Sequence, residues 1–329
     1  MTRPPAAGRA AEPDARITAH VFERAFGRPP AGIRRTPGVL TLLGGAPPGT
    51  PVSDLAPALT MAVTWGVIVA FGDSDDTGAV IDLYSMNHHA DRFTAAPGDL
   101  RNAGAPGWAA EPLAAFRARP VPPPARMVVN RELPAEMGLF TGVEARCAVA
   151  LGLDDLHGPS GGGEPQDAAY TTALHAREAE ALLVAPGGGA ERVPCDLAAS
   201  GLRLLIIDPG APAAPSRTVS RAPVDDTSAE RAAQALRAGR IADLGPLLTQ
   251  AHVRGAPALD LALDAARDAG ALGGRTIGTC VVALVPMANV PQVRAQVGAR
   301  LAGAVRRPPR FLTATPVPGA VRRGVTDAG

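Results

Sequence analysis

Short apolar runs bounded by segments rich in Gly, Pro and Asp dominate the first half of the chain, and this pattern predicts strands. The predicted strands lie at residues 39–43, 63–71, 80–84 and 127–133. One charge-free stretch, from Leu55 to Gly72, approaches the length of a membrane span. Because Pro57 interrupts this stretch and β-branched residues are frequent in it, we expect a buried strand and no membrane span.

Apolar residues at helical spacing predict a first helix over residues 17–26, with Gly27 as its C-terminal cap. Further helices are predicted at 141–153, 227–237, 259–268 and 290–301, and further strands at 181–184, 202–207, 280–286 and 311–317. The helix at 227–237 opens on Thr-Ser-Ala-Glu, a capping box. Because helices and strands do not alternate regularly, we expect an α+β fold and not a parallel βαβ fold.

The length of 329 residues suits two domains of ordinary size that share a buried interface. The Pro- and Ala-rich opening, residues 1–15, is expected to be flexible. We assign residues 16–200 to an N-terminal domain and residues 201–329 to a C-terminal domain. The low-complexity segment 209–223 lies close to the expected crossing between these domains.

Composition excludes several classes of function. Apolar residues make up 46% and charged residues 19%, so we expect a packed core. A net charge of +1, with basic residues clustered only in pairs, argues against a nucleic-acid partner. The chain has no Lys, which excludes Schiff-base chemistry and P-loop lysines. With three separated cysteines and no secretory signal pattern, a cytoplasmic protein without disulfides or a zinc site is expected.

Four segments carry a resemblance to a known family. The first is Pro-Gly-Val-Leu-Thr-Leu-Leu-Gly at 37–44, followed by Leu-Ala-Pro-Ala-Leu at 55–59, and the second is Leu-Pro at 133–134 and Gly-Leu at 138–139, before the apolar segment 147–151. The third is Ala-Leu at 173–174, followed by Ala-Leu-Leu at 181–183, and the fourth consists of the segments 269–273 and 280–286. In this order they resemble the motifs of galactokinases, members of the GHMP family of small-molecule kinases. The likeness runs from about residue 21 to about residue 320 and rests mostly on framework and hydrophobic residues.

The resemblance implies a two-lobed GHMP kinase fold, with an N-terminal lobe like domain 2 of ribosomal protein S5 and a ferredoxin-like C-terminal lobe. It also implies the activity of an ATP:galactose 1-phosphotransferase that uses Mg-ATP. Phosphoryl transfer requires a positioned hydroxyl, neutralised phosphate oxygens and a metal ion. The resemblance assigns each of these requirements to particular positions of this chain.

The positions that carry catalysis in the family hold apolar residues in this chain. The family's first-motif Arg, which stabilises the transferring phosphoryl group, corresponds to Val39, and its catalytic Asp corresponds to Ala169. Neither side chain can bind phosphate or orient a hydroxyl, so no catalytic residue is predicted. Asp167 is a weak surrogate that requires the loop to shift by two residues, and its alternative interpretation is a solvated loop acid.

The ligand-holding positions of the motifs are changed as well. The family's sugar-binding Glu, His and Asp correspond to Gly45, Ala46 and Pro48, which offer no side-chain hydrogen bonds. In the second motif, Phe-Thr-Gly at 140–142 takes the places of serines. Glu144 puts a carboxylate in the first turn of the helix, where the family's phosphate would lie.

Three residues remain as candidates for nucleotide binding: Trp108, Gly138 and Thr141. Trp108 matches a family Trp near the adenine pocket and could stack on a base, or it could only fill the core. Thr141 could offer one hydroxyl to a metal ion. No metal site is predicted, because the adjacent His88 and His89 would point apart on a strand. The segment 274–279 is shorter than the glycine-rich loop of the family's third motif.

These substitutions favour a degenerate galactokinase homologue, a pseudokinase with a binding or regulatory role. Two alternatives stay open: a residual ATP-dependent sugar 1-kinase that uses Asp167, and a structural partner of another protein. A sugar or a nucleotide is the expected class of ligand, while neither nucleic acid nor a membrane is expected and the sequence names no protein partner. Mg-ATP is the cofactor that the family implies, and the substituted motifs argue against it.

Overall fold

The computed structural model describes residues 12–45, 56–74, 78–160, 167–187, 189–210 and 227–320. Within these ranges the strands form two sheets, one of seven strands and one of four. The strands of the first sheet come from residues 32–194 and those of the second from residues 202–314. The mixed α+β architecture expected from the sequence is therefore confirmed.

One long strand organises the first sheet. The strands are β1 (Gly32–Gly44), β2 (Ala58–Gly72), β3 (Ile81–Ser85), β4 (Phe93–Ala95), β5 (Ala125–Arg131), β6 (Glu180–Val184) and β7 (Ala190–Pro194), in the order β4-β3-β5-β2-β6-β7 with β1 also paired to β2. The start of β2 pairs with β6 and its end with β5. Both faces of β2 are covered for most of its length, which explains its uncharged sequence.

Four helices that precede the second sheet in the chain accompany the first sheet in the described residues. They are α1 (Pro13–Phe26), α2 (Ala110–Arg117), α3 (Val143–His157) and α4 (Ala168–His175). A proline in the first turn starts α1, and Gly27, in the left-handed conformation, ends it. α3 packs on β1, β2 and α2, while α4 packs on β1, β2 and α3. The two helices therefore approach β1 together, close to the first motif.

The second sheet is antiparallel throughout. Its strands are β8 (Leu202–Asp208), β9 (Gly273–Ile277), β10 (Cys280–Pro286) and β11 (Arg310–Ala314), in the order β11-β8-β10-β9. The remaining helices are α5 (Ser228–Arg237), α6 (Leu244–Gln250), α7 (Pro257–Asp268) and α8 (Val290–Leu301), of which α5 packs on β1, β2, β6 and β7 of the first sheet, whereas α6 and α7 pack on β9 and β10. Leu205 and Ile207 of β8 face a core formed with α7 and α8, whereas Leu204 and Ile206 face the opposite side. This alternation places apolar residues on both faces of the sheet.

One core cluster spans the two sheets. It contains Leu40 and Leu59 from the first sheet together with Leu204 and Val282 from the second, and α5 and α6 contribute to it as well. The end of the described chain also returns to the first sheet, where the amide of Val317 donates a hydrogen bond to the carbonyl of Ala62. The boundary drawn at residue 200 falls between β7 and β8 and stays a prediction.

Most predicted elements are confirmed, with shifted ends: the first helix begins at Pro13, the predicted helix 141–153 spans 143–157, and the predicted final strand ends at Ala314. The interpretation of 274–279 as a loop is wrong, because residues 273–277 form β9 through pairing with β10. The sequence patterns also missed β4, α2, α4 and α6, which are too short to show a clear period. The stretch 55–72 contains β2, and none of the described helices has the length and apolar character that a membrane span needs.

Candidate functional site

The two positions that the resemblance assigns to catalysis lie together in the fold. Val39 on β1 and Ala169 on α4 belong to one cluster of buried residues, with 3% and 6% of their surfaces exposed. The other members of the cluster are Val143, Cys147, Tyr170 and Ala173. The guanidinium of Arg146 borders the cluster, 5.6 Å from the centroid of the Tyr170 ring. Close packing of aliphatic groups fills the space between β1, α3 and α4.

Glu144 brings a carboxylate to the first turn of α3, directly beside this cluster. Its Oε2 accepts a hydrogen bond from the amide of Gly142 at 3.0 Å, and its Oε1 accepts one from the amide of Val39 at 3.1 Å. Its backbone carbonyl accepts a third bond from the Thr36 hydroxyl at 2.8 Å. The side chain therefore caps its own helix and ties it to β1, using a helix-start amide that could otherwise hold an anion.

The ionisation of Glu144 is strongly perturbed. Only 1% of the residue is exposed, and burial raises the pKa of its carboxyl to about 7. The amides of Val39 and Gly142 and the nearby Arg131 act in the opposite direction, because they stabilise the anion. Arg131 and Glu144 border a small pocket whose apolar wall includes Leu133 and Phe140. Arg131 and the carboxyl of Glu144 thus line the same pocket. The carboxyl oxygens already accept hydrogen bonds from the amides of Val39 and Gly142.

Asp167 is the N-cap of α4. Its Oδ1 accepts hydrogen bonds from the amides of Ala169 at 2.8 Å and Tyr170 at 3.1 Å. Its Oδ2 lies 3.9 Å from a guanidinium nitrogen of Arg146, and 43% of the side chain is exposed. This geometry is that of a helix cap. The same amide bonds fix the carboxylate at the entrance of α4.

The loop before α3 is closed by bulky and backbone contacts. The ring of Phe140 lies against Gly38 of the first motif so closely that a side chain at Gly38 would overlap with it. Thr141 is exposed, and its hydroxyl accepts a long hydrogen bond of 3.4 Å from the amide of Val143. Gly138, with φ of 58°, ends a short 3-10 turn. The candidate residues Gly138 and Thr141 therefore lie within this one loop, on either side of Phe140.

The turn between β9 and β10 packs onto the same loop. The amide and hydroxyl of Thr279 both donate hydrogen bonds to the carbonyl of Met137, at 3.0 and 3.1 Å. Gly278, with φ of 58°, lies against the backbone of Gly138. The segments that correspond to the second and third motifs are thus held together by main-chain contacts. The sequence offered no signal for this contact, because the two segments are far apart in the chain.

Trp108 lies apart from this loop, in the core of the first sheet. Its indole nitrogen donates a hydrogen bond to the carbonyl of Asp91 at 2.9 Å, and 9% of the residue is exposed. The ring of His88 stacks parallel to it, with 6.4 Å between centroids. The indole N–H therefore has an acceptor, and the ring is packed in the core. A role of Trp108 in nucleotide binding stays a prediction.

Comparison with solved structures adds evidence on the fold. The galactokinase of Lactococcus lactis, solved in complex with galactose, superposes with a TM-score of 0.76 at 17% identity, covering 93% of this chain and 99% of that chain. The GHMP kinase fold is therefore the fold of this chain. The mevalonate kinase of Methanococcus jannaschii gives a TM-score of 0.60 at 13% identity, over 87% of this chain and 98% of that one. A D-glycero-D-manno-heptose 1-phosphate kinase from Bacteroides thetaiotaomicron gives 0.57 at 15% identity, over 88% and 99%. No protein-family model and no curated protein matches the sequence.

The GHMP kinase fold raises the question of whether Mg-ATP fits the residues at the start of α3. They do not fit a phosphate group, because the carboxylate of Glu144 takes the amide of Gly142 and would repel an anion. Within the described residues, no group of three or more His, Cys, Asp or Glu side chains is arranged to hold a metal ion. Gly45 donates its amide to the carbonyl of Pro57, while Ala46 and Pro48 lie outside the described residues.

Sequence reasoning missed two arginines near these loops of the GHMP kinase fold. Arg131 ends β5 at the mouth of the small pocket, and Arg275 on β9 reaches across to the carbonyl of Leu42 at the end of β1. Neither falls in a segment that carries the resemblance. The sequence offers one indication that arginines supply the positive charge of any site in this chain: it contains no Lys, so Arg is its only permanently charged cationic residue type.

Proposed function

We propose that this protein is a non-catalytic relative of the galactokinases, a pseudokinase that binds a small molecule. The observation that carries the proposal is the aliphatic cluster around Val39 and Ala169. If the correspondence with the family motifs holds, the two groups that would stabilise the phosphoryl group and orient the hydroxyl are both replaced by core residues. Removing a general base alone slows a reaction by about 10² to 10⁴.

The carboxylate of Glu144 supports the same proposal. In the resembling motif the first turn of this helix receives a phosphate, and here an internal carboxylate accepts the amides of Gly142 and Val39. A phosphate brought to this position would meet a negative charge whenever Glu144 is ionised. Loss of anion stabilisation typically costs a further factor of about 10² to 10³ in rate. The combined loss leaves no transfer to be expected at ordinary enzyme concentrations.

The test is a direct measurement of phosphoryl transfer. The purified protein is incubated with Mg-ATP and galactose, and ADP and sugar phosphate are both quantified, with an active galactokinase assayed in parallel. We expect no sugar phosphate above the no-enzyme background. Formation of sugar phosphate in proportion to the concentration of this protein would refute the proposal.

A residual sugar kinase that uses Asp167 is the second candidate, since its carboxylate lies next to Ala169 at the start of α4. Asn at this position keeps the cap and loses the base, whereas Ala loses both. We expect Asp167→Ala to reduce the free energy of unfolding by about 1 kcal/mol and Asp167→Asn to change it little, as measured by chemical denaturation. If the wild type shows a trace of transfer and Asp167→Asn abolishes it, the residual kinase is correct instead.

A further inference from the structure

Arg275 occupies the edge strand of the second sheet, on the side that faces the first sheet. It lies opposite Val282 in the β9–β10 pair, and Val282 belongs to the core cluster shared by the two sheets. Burial lowers the pKa of its guanidinium below the usual value, and no carboxylate acts against that effect. A partly buried cation is therefore placed at the junction of the two sheets.

The partners of Arg275 in the described residues are both backbone carbonyls. Its Nη1 donates to the carbonyl of Leu42 at 3.2 Å, and its Nε donates to the carbonyl of Thr276 at 3.4 Å. The Nη2 nitrogen has no acceptor among the described residues. Two long bonds to neutral carbonyls compensate a buried charge poorly, because neither supplies a negative charge.

Three buried charges of the described chain are paired with an opposite charge, whereas buried Glu144 is held by backbone amides. Arg34, with 4% of its side chain exposed, is paired with Asp155, and buried Asp208 is paired with Arg310. Asp82 is likewise paired with Arg92. Arg275 departs from this pattern. A partly buried arginine that has no counter-charge among the described residues is expected where an anion from outside the chain completes the site.

The direction of the Arg275 side chain is fixed by its neighbour. The Thr276 hydroxyl lies 3.1 Å from Nδ1 of His252, and Nε2 of His252 lies 3.0 Å from Asp260. These contacts hold the opposite face of β9 against the connection between α6 and α7. Because successive side chains of a strand point to opposite faces, they keep Arg275 directed at the first sheet.

We propose that Arg275 binds the anionic group of a small ligand, a carboxylate or a phosphate ester, at the junction between β1 and β9. Planar guanidinium groups hold such oxyanions with two parallel hydrogen bonds, and the site supplies a charge that no side chain of the described residues neutralises. The inference rests on the proposed function, since it names the charge of the ligand that a non-catalytic binding protein of this fold would hold.

The experiment measures anion binding without nucleotide. Isothermal titration calorimetry and thermal denaturation are carried out with inorganic phosphate and, separately, with malonate, against chloride at equal ionic strength. The variants are Arg275→Met and, as a matched control, Arg203→Met, since Arg203 lies in the same sheet and also donates to a backbone carbonyl. We expect Arg275→Met to weaken phosphate or malonate binding about tenfold or more and Arg203→Met to leave it unchanged.

A second signature separates a ligand-binding arginine from a structural one. Without added anion, the melting temperature of Arg275→Met should equal or exceed that of the wild type, because the variant removes a charge that is partly desolvated and has no counter-charge among the described residues. If the Met variant does not fold, Arg275→Gln, which keeps a donor for Leu42, replaces it in the comparison. A response to phosphate alone or to malonate alone supports the inference and identifies the oxyanion.

Two results would overturn the assignment: a wild type that responds to neither anion beyond chloride, or an Arg275 variant that binds them as tightly as the wild type does. These results are independent of the kinase assay. Sugar phosphorylation would refute the proposed function and leave the anion site standing, whereas an indifferent wild type would remove the anion site and leave the pseudokinase proposal intact.

Discussion

At the scale of single residues, the ionisation of the Glu144 carboxyl is coupled to the folding of the protein. The carboxyl is buried, accepts two backbone amides from α3 and β1, and has a pKa near 7. A residue in this position joins two elements that the sequence separates by a hundred residues or so. Its protonation state therefore affects both the start of α3 and the path of β1.

The raised pKa of Glu144 predicts a pH-dependent contribution to stability. Since the folded protein holds this proton more tightly than the unfolded chain does, the contribution is complete below pH 4.5 and is lost as the pH rises to about 7. The expected loss is about 3 kcal/mol. The measurement is the difference in free energy of unfolding between wild type and Glu144→Gln across this range. A difference that is constant with pH would contradict the perturbed pKa.

The aliphatic cluster around Ala169 predicts the effect of restoring a carboxylate there. Ala169→Asp buries a charge among Val39, Val143 and Cys147, and the bordering Arg146 already contacts the carboxylates of Glu111 and Asp167. We expect a loss of roughly 3 kcal/mol or more in the free energy of unfolding. Ala198→Asp, at an exposed turn, is the control and should change stability by no more than about 0.5 kcal/mol. Equal tolerance of both substitutions would show that the cluster is an open cleft.

At the scale of elements, the turn between β9 and β10 determines whether the loop before α3 stays closed. Thr279 binds the carbonyl of Met137 and Gly278 lies on the backbone of Gly138, so two distant segments share a main-chain contact. If the segment 274–279 were a longer loop, it would lack the direct pairing with β10 that makes residues 273–277 the strand β9. The short connection between β9 and β10 therefore holds this turn in a fixed contact with the loop before α3.

This contact predicts a difference between two glycines that both have positive φ. Gly278 and Gly303 both have positive φ, but a side chain at Gly278 would overlap with the Gly138 carbonyl, whereas one at Gly303 would meet open space. Alanine at either position costs about 1 kcal/mol for the left-handed conformation. Gly278→Ala should cost about 1 to 3 kcal/mol more because of the overlap. Equal melting temperatures of the two variants would show that the turn is detached from the loop.

At the scale of the whole molecule, the shared core cluster links the two sheets. Leu40 and Leu59 of the first sheet pack in the same cluster as Leu204 and Val282 of the second. Residues 316–320 also bind back to the first sheet and to the end of α4. The two predicted domains are therefore joined by apolar packing as well as by the chain, and each also has a cluster of buried residues of its own.

The shared cluster predicts a single unfolding transition. Trp65 and Trp108 report on the first sheet, and Cys280 reports on the second, where it is buried. In a Cys147→Ala, Cys195→Ala background, tryptophan fluorescence and thiol labelling of Cys280 should follow the same denaturant dependence. Two separated midpoints would indicate that the sheets unfold independently of one another.

Local patterns predicted the elements with long, distinct periods, among them α8, β2 and β10. They did not predict α2, α4 or β9, because a helix of eight residues or a five-residue strand is decided by what it packs against. The resemblance placed Val39 and Ala169 at corresponding functional positions. It gave no indication of the partners of Glu144 or of the isolation of Arg275.

The sequence by itself determined the α+β class, the absence of lysine chemistry and the apolar character of positions 39 and 169, since these depend on residue types and on local periodicity. Only the tertiary structure decided that Val39 and Ala169 meet, that the Glu144 side chain caps the start of α3 and that Arg275 is partly buried with no counter-charge among the described residues. Burial and hydrogen-bond partners depend on segments far apart in the chain, and a linear pattern does not contain that information.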